Sequence, residues 1–281
     1  MFAKLLKHEW RATRGIIALL CVVILISGLT IGGTMHYLIG VDAANEAMVI
    51  SEKDDAATFE PMSDFAEVMC VLLIMAGFIA IAVCGAGSVF FLIYRFYKSR
   101  FTDEGYLTFT LPANHHQLLL SSFLNSSINM AIVILTAFLA FAMAVGLFLT
   151  AFPENLIWAD VSMGMEQILQ QLWASLLENG KEIALAAFSA VVSCLSELML
   201  LMLAVTIGAL IAKKHKILAA VGVYYGISMV QSFIYSLIAI KTTTAEGVDM
   251  FLASPGVMGL ITAVCGYFLM HYLTSKKLNL A

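Results

Sequence analysis

Charged residues are scarce in this chain of 281 residues. They make up 12% of the sequence, whereas hydrophobic residues make up 61%. A soluble domain of this size would carry roughly 25% charged residues, so the composition excludes that class and predicts a membrane protein. The formal net charge of −4 is small, and the chain lacks the basic footprint of a nucleic-acid-binding protein.

Motifs that would supply chemistry are also missing. The five cysteines lie inside apolar runs and form no CxxC pair, and the sequence contains no HExxH or GxSxG motif. Gly180–Lys181 is followed by Glu182 and is not a Walker A motif, so the chain itself should not hydrolyse ATP. The adjacent His115–His116 point in different directions on a helix, and His36 and His271 are isolated near span ends. We therefore expect no catalytic residue, metal site or cofactor on this chain.

Long apolar runs dominate what remains. At 1.5 Å per residue a helix of about 20 residues crosses the hydrocarbon core. The runs predict an all-α polytopic membrane protein with a single transmembrane domain over 1–281 and six spans, at about 16–39, 68–97, 117–151, 182–212, 217–240 and 255–273.

The distribution of cations predicts the orientation. Twelve Lys and Arg lie before the first span, in 95–100, in 213–216 and in the tail, and three lie in the other connections. By the positive-inside rule both termini are cytoplasmic, and 42–67 and 152–181 are extracellular segments. Residues 1–15 are predicted to form an amphipathic interfacial helix on the anionic inner surface, or simply a positive anchor for the first span.

Small and polar residues predict where the spans pack. Gly28 and Gly32 form a GxxxG pair that allows close helix approach. A second stripe of small residues lies at a spacing of four in span two, and the first turns of span three are unusually polar. Those turns either lie below the bilayer, face other helices or face a water-filled path; packing between helices is the favoured interpretation. The second stripe is Ala76, Ala80, Cys84 and Ser88; the polar residues are Ser121, Ser122, Asn125, Ser126 and Asn129.

Glu197 is the acid placed well inside a span, with Ser193 and Ser196 beside it. A central carboxylate costs on the order of 2.5–3.5 kcal/mol on insertion scales, so it should face the bundle or a cavity. Its role is either a hydrogen-bonded packing residue or the polar lining of a substrate path or subunit interface.

The connection 98–116 contains residues that are typical of the beginning and the end of a helix. Thr102 or Asp103 can serve as an N-cap, acids follow in the first turn, and Pro112 marks an end. This pattern predicts a short cytoplasmic helix between spans two and three that contacts a partner; an ordinary solvated loop is the alternative.

Three stretches resemble the permease subunits of bacterial ABC transporters of the ABC-2 family, of the Gram-positive type. These are LLKHEWRATRG near the start, RFYKSRFTDEGYLTFTLP with HHQLLLS after it, and KKLNL near the end.

The resemblance implies an exporter subunit in the bacterial plasma membrane that is not itself an enzyme. A separate ATPase subunit would hold ATP and Mg²⁺, and a second permease would complete a homodimer or heterodimer. The 98–116 connection would be a coupling helix, with its ATPase contact at Thr102, Asp103, Glu104, Gly105 and Tyr106. The substrate would be a peptide antibiotic, a lipid or a drug.

Two other classes stay open. One is a non-transporting membrane scaffold or sensor that uses the same connection to bind a partner. The other is an ATP-independent secondary transporter, for which Glu197 would be the ion-coupling residue.

Overall fold

The architecture is all-helical throughout the described part of the chain. The computed structural model describes residues 2–51, 64–102, 114–150, 170–171, 174, 177–178, 180–212, 215–244 and 255–276. Within these residues six long helices form and no strand is present: α1 Phe2–Ser51, α2 Asp64–Phe101, α3 His115–Leu149, α4 Gly180–Ile211, α5 Lys216–Thr244 and α6 Pro255–Lys276.

Each of these helices is long and apolar enough to cross a membrane. The qualifying stretches begin and end at Phe2–Gly40, Phe65–Phe101, His116–Leu149, Ala184–Ile211, Lys216–Leu237 and Gly256–Ser275. Large apolar side chains such as Leu19, Leu135 and Met229 stay exposed along them. A water-soluble monomer rarely exposes so much apolar surface, whereas lipid solvates it. The prediction of a multi-pass, all-α membrane protein with six spans is confirmed.

The N-terminal segment is helical and is continuous with the first span. Residues 2–14 are helical, and α1 continues through Gly15 into the first span without interruption. Gly15 is a single helix-weakening residue followed by a long apolar run, and one such residue costs only about 1 kcal/mol. The place of the basic start at the membrane surface stays a prediction.

The chain divides into two compact units, and α1, α2 and α3 contribute residues to both. The first unit contains Met1–Thr13, Phe90–Ile128 and Leu176–Ala281. The second unit contains Arg14–Val89 and Asn129–Ser175.

In the second unit α1 and α3 are in backbone contact along the predicted GxxxG pair. A Cβ atom on Gly28 would lie 2.6 Å from the Ala140 carbonyl oxygen, and one on Gly32 would lie 2.8 Å from Ala144 Cα. Only glycine fits at such a separation, which is how small residues stabilise helix pairs in lipid. One turn further along, His36 Nδ1 lies 3.2 Å from the Leu147 carbonyl oxygen.

The small-residue stripe of α2 is shifted from its predicted position. Cys84 and Ser88 are buried as expected, but Ala76 is exposed and the neighbouring Gly77 is buried instead. A spacing of four residues advances 400° rather than a full turn, so a stripe drawn at strict fours drifts off the packed face. The second-unit part of α2 therefore packs through Gly77 rather than Ala76.

In the first unit α4 packs against both α5 and α6. Met199, Met202, Leu203 and Met270 form a buried apolar core there with residues of α2, α3 and α5. At the short connection between α4 and α5, a Cβ on Gly208 would lie 2.6 Å from Ala220 Cα. Glycine thus lets the two helices meet closely before they diverge around the cavities described below.

Candidate functional site

Glu197 lines a polar cavity inside the first unit. The cavity has a volume of about 350 Å³ and is bounded by α4, α5 and α6. The structure places all three predicted intramembrane residues, Glu197, Ser193 and Ser196, on its wall. The side chain of Glu197 is exposed, as a residue facing an open cavity should be. The remaining wall consists of Ser228, Gln231, Ser232, Tyr235, Met258 and Gly259.

The spacing of these residues along α4 and α5 places their side chains on one face of each helix. Ser193, Ser196 and Glu197 are three and four residues apart on α4, and Ser228, Gln231, Ser232 and Tyr235 repeat the same spacing on α5. Residues at this spacing share one helix face. Two polar faces therefore meet across the cavity, although each belongs to a helix that is otherwise apolar.

Tyr224 fixes the carboxylate. Its hydroxyl donates to Glu197 Oε2 at 3.3 Å, from one turn nearer the start of α5 than the cavity wall. Ser196 Oγ is satisfied within its own helix, where it donates to the Ser193 carbonyl oxygen at 2.8 Å.

Two buried polar atoms at the cavity are not satisfied by the described part of the chain. These are Ser193 Oγ and Gln231 Oε1, which make no hydrogen bond to described residues. A buried polar atom without a partner costs about 1–3 kcal/mol. The exposed carboxylate of Glu197 is the group that can bind a hydroxyl, amide or amine of a molecule entering the cavity. No group of three or more His, Cys, Asp or Glu suited to a metal ion occurs among the described residues.

The predicted partner contact lies mostly outside the described residues. Asp103, Glu104, Gly105 and Tyr106 belong to 103–113, which lies outside the described residues. Thr102 is described, and its hydroxyl donates back to the Lys98 carbonyl oxygen at 2.5 Å. Its side chain is therefore engaged with the last turn of α2.

Arg100 anchors the end of α2. The side chain is 2% exposed. Its Nη2 donates to the Leu118 carbonyl oxygen and, at 2.8 Å, to Ser122 Oγ, both in the first turns of α3. Ser122 Oγ in turn donates to Glu9 Oε1 of α1 at 3.4 Å. A buried guanidinium needs such partners, because an unpaired buried charge is costly.

A second contact extends this anchor. Asn125 Nδ2 donates to Thr13 Oγ1 at 3.4 Å, and both residues are buried. The polar turn of α3 thus faces α1 and α2, which agrees with the favoured packing interpretation. Ser121, Ser126 and Asn129 are buried as well.

Glu9, Arg100 and Tyr224 were not singled out from the sequence as parts of these sites. Glu9 is the one acid among the cations of the first fourteen residues, and this contrast in charge could have indicated that it pairs with another part of the chain. His271 is not isolated as expected, since its ring stacks on that of His116 with centroids 3.6 Å apart. His116 Nδ1 also lies 3.0 Å from the Tyr267 hydroxyl.

Comparison of the chain with protein-family models, with curated proteins and with solved structures finds no match.

Proposed function

We propose that the chain is the membrane-spanning permease subunit of an ATP-binding cassette exporter, which uses ATP hydrolysed by a separate subunit. The observation that carries the proposal is the set of hydrogen bonds that joins the end of α2 to the start of α3. Arg100, three residues before Asp103, is hydrogen-bonded to the first turns of α3. The end of α2 and the start of α3 are therefore joined by hydrogen bonds, and in this proposal a force applied to the connection between them is passed to both helices.

The length of α2 supports this role. Its 38 residues extend over roughly 57 Å, whereas the hydrocarbon core is about 30 Å thick. A helix of this length continues beyond the bilayer and can act as a lever for a soluble partner. The basic-aromatic sequence leading into DEGYL resembles the coupling segment of ABC-2 permeases, which adds the ATPase as the partner.

The cavity around Glu197 supports an amphipathic cargo. A peptide antibiotic, a lipid or a drug with a polar group and an apolar body would find hydrogen-bonding groups at Glu197 and Gln231 and apolar helix surface around them. In this proposal ATP and Mg²⁺ are bound by the partner, and a second permease completes the assembly.

The test is purification of the tagged chain from its native membrane in mild detergent, with identification of the proteins that accompany it. We expect an ATP-binding subunit with the wild type and its loss from Glu104→Arg, because a reversed charge would oppose docking. Glu178→Arg, at an exposed acid of another connection, is the control and should keep the partner. Absence of any ATPase under several detergents would refute the proposal.

An ATP-independent secondary transporter is the second candidate, favoured by the place of Glu197 in a polar cavity. Transport would then stop when the proton gradient is collapsed while cellular ATP is maintained. An exporter driven by a partner ATPase would continue under that condition and stop on ATP depletion.

A further inference from the structure

A second cavity in the first unit differs in character from the one at Glu197. It has a volume of about 370 Å³ and lies among the end of α2, α4 and the first turns of α5. Its wall is apolar and aromatic. Lys216 is the one charged side chain among the described residues that line it, and rings come from Phe90, Tyr94, Tyr97, Tyr224 and Tyr225.

The positive charge of this cavity lies at the start of α5. Lys216 is the first residue of α5 and closes the basic sequence Lys213–Lys216. Tyr225, at the far end, is nine residues further along, a rise of roughly 14 Å. The cavity thus combines a cation from the first turn of α5 with an apolar slot that follows this helix, and the slot is open because lining side chains such as Phe90 and Tyr225 are more than half exposed.

We propose that this cavity binds an anionic phospholipid, with an acyl chain among the aromatic rings and the phosphate at Lys216. Lys216 lies in the connection that the cation count predicts to be cytoplasmic, on the side where anionic lipids are enriched, and basic pockets between helices there bind acidic headgroups. The described residues of the wall include no acid that would repel a phosphate. The inference does not depend on an ATPase partner.

Native mass spectrometry of the full-length chain in detergent tests the site. The protein is titrated with phosphatidylglycerol and, separately, with phosphatidylcholine of the same acyl chains. We expect selective retention of phosphatidylglycerol, and about fivefold weaker binding in Lys216→Gln, since one Lys near a lipid surface contributes about that factor. Lys7→Gln, at an exposed cation away from the cavity, should bind like the wild type.

A second variant tests the apolar slot. Val221 lines the cavity and is half exposed, so Val221→Trp can enter the slot from its open side with little disturbance of the core. We expect it to lose most phosphatidylglycerol binding while its melting temperature stays at the wild-type value. Equal retention of both lipids, or wild-type binding in both cavity variants, would overturn the proposal. So would a shift from dimer to monomer in Val221→Trp with unchanged lipid binding, because the cavity would then be occupied by a second copy.

Discussion

At the scale of single residues, Glu197 can be replaced in two ways that separate charge from hydrogen bonding. Glu197→Gln keeps an acceptor for the Tyr224 hydroxyl, whereas Glu197→Leu removes it. A neutral hydrogen bond contributes about 0.5–1.5 kcal/mol, so we expect both variants to fold and the glutamine variant to melt near the wild type. Only the leucine variant should lose export, measured as resistance of cells to peptide antibiotics and amphipathic drugs. Unchanged resistance in the leucine variant would remove Glu197 from the substrate path.

Thiol chemistry can show whether water reaches the polar cavity. Ser232 lines it, whereas the adjacent Phe233 is 64% exposed and is not part of its wall. In a background without the native cysteines, Ser232→Cys should react about tenfold faster than Phe233→Cys with a membrane-impermeant thiol reagent, because only the hydrated thiolate is nucleophilic. Equal rates would contradict a water-filled cavity.

The sequence was informative about Glu197 because a carboxylate within a span is rare and raises the free energy of membrane insertion. It was less informative about Tyr224 and Gln231, since such residues occur in many spans without forming a site. Their relevance depends on which faces of α4 and α5 meet, which is a long-range property. The same reason explains why the link from Glu9 through Ser122 to Arg100 was not foreseen, since 113 and 22 positions separate the bonded pairs.

At the scale of helices, neighbouring glycines of α1 provide a matched pair for the contact with α3. A Cβ on Gly32 would lie 2.8 Å from Ala144 Cα, while one on Gly33 would meet nothing within 4 Å. Gly32→Leu should cost at least about 1–3 kcal/mol through overpacking and lower the melting temperature in detergent. Gly33→Leu should melt at or above the wild-type temperature, since leucine is the better helix former. A similar loss in both variants would mean that the close approach is not what stabilises the pair.

The anchor of α2 can be tested in the same way. Arg100→Ala removes the hydrogen bonds from a charged donor to the Leu118 carbonyl oxygen and to Ser122 Oγ, and a hydrogen bond of this kind contributes about 1.5–3 kcal/mol. We expect a clearly lower melting temperature than for Arg11→Ala, which alters an exposed cation of α1. Equal melting temperatures would show that Arg100 contributes nothing to stability.

Helices were the most predictable elements, because a run of apolar residues long enough to cross a bilayer is a local pattern. The contacts between helices were less predictable from the sequence. The GxxxG pair of α1 was placed correctly because two glycines leave a gap that a partner backbone fills. The predicted stripe of α2 began at Ala76, whereas the buried residue is Gly77. Alanine and glycine at neighbouring positions are both small, so the sequence does not indicate which of them faces a partner helix.

At the scale of the whole molecule, the distribution of cations predicts which connections share a side of the membrane. Reporters inserted in 42–67 and 152–181 should be active outside the cell, and reporters in 103–113 and 213–216 should be active only inside. Protease protection in sealed vesicles is the independent measurement. A reporter in 213–216 that is active outside would invert the predicted topology of α4 and α5.

Tyr224 connects the two cavities: it lines the apolar one, and its hydroxyl donates to Glu197, which lines the polar one. This hydrogen bond is a route by which occupants of the two cavities can be linked thermodynamically. If a molecule in the apolar cavity turns the Tyr224 ring and thereby changes the affinity at Glu197 by some factor, a ligand at Glu197 must change the affinity of the apolar cavity by the same factor. The lipid composition of the membrane would then act as an effector of the polar cavity, and one phenol would be the element through which the two equilibria are coupled.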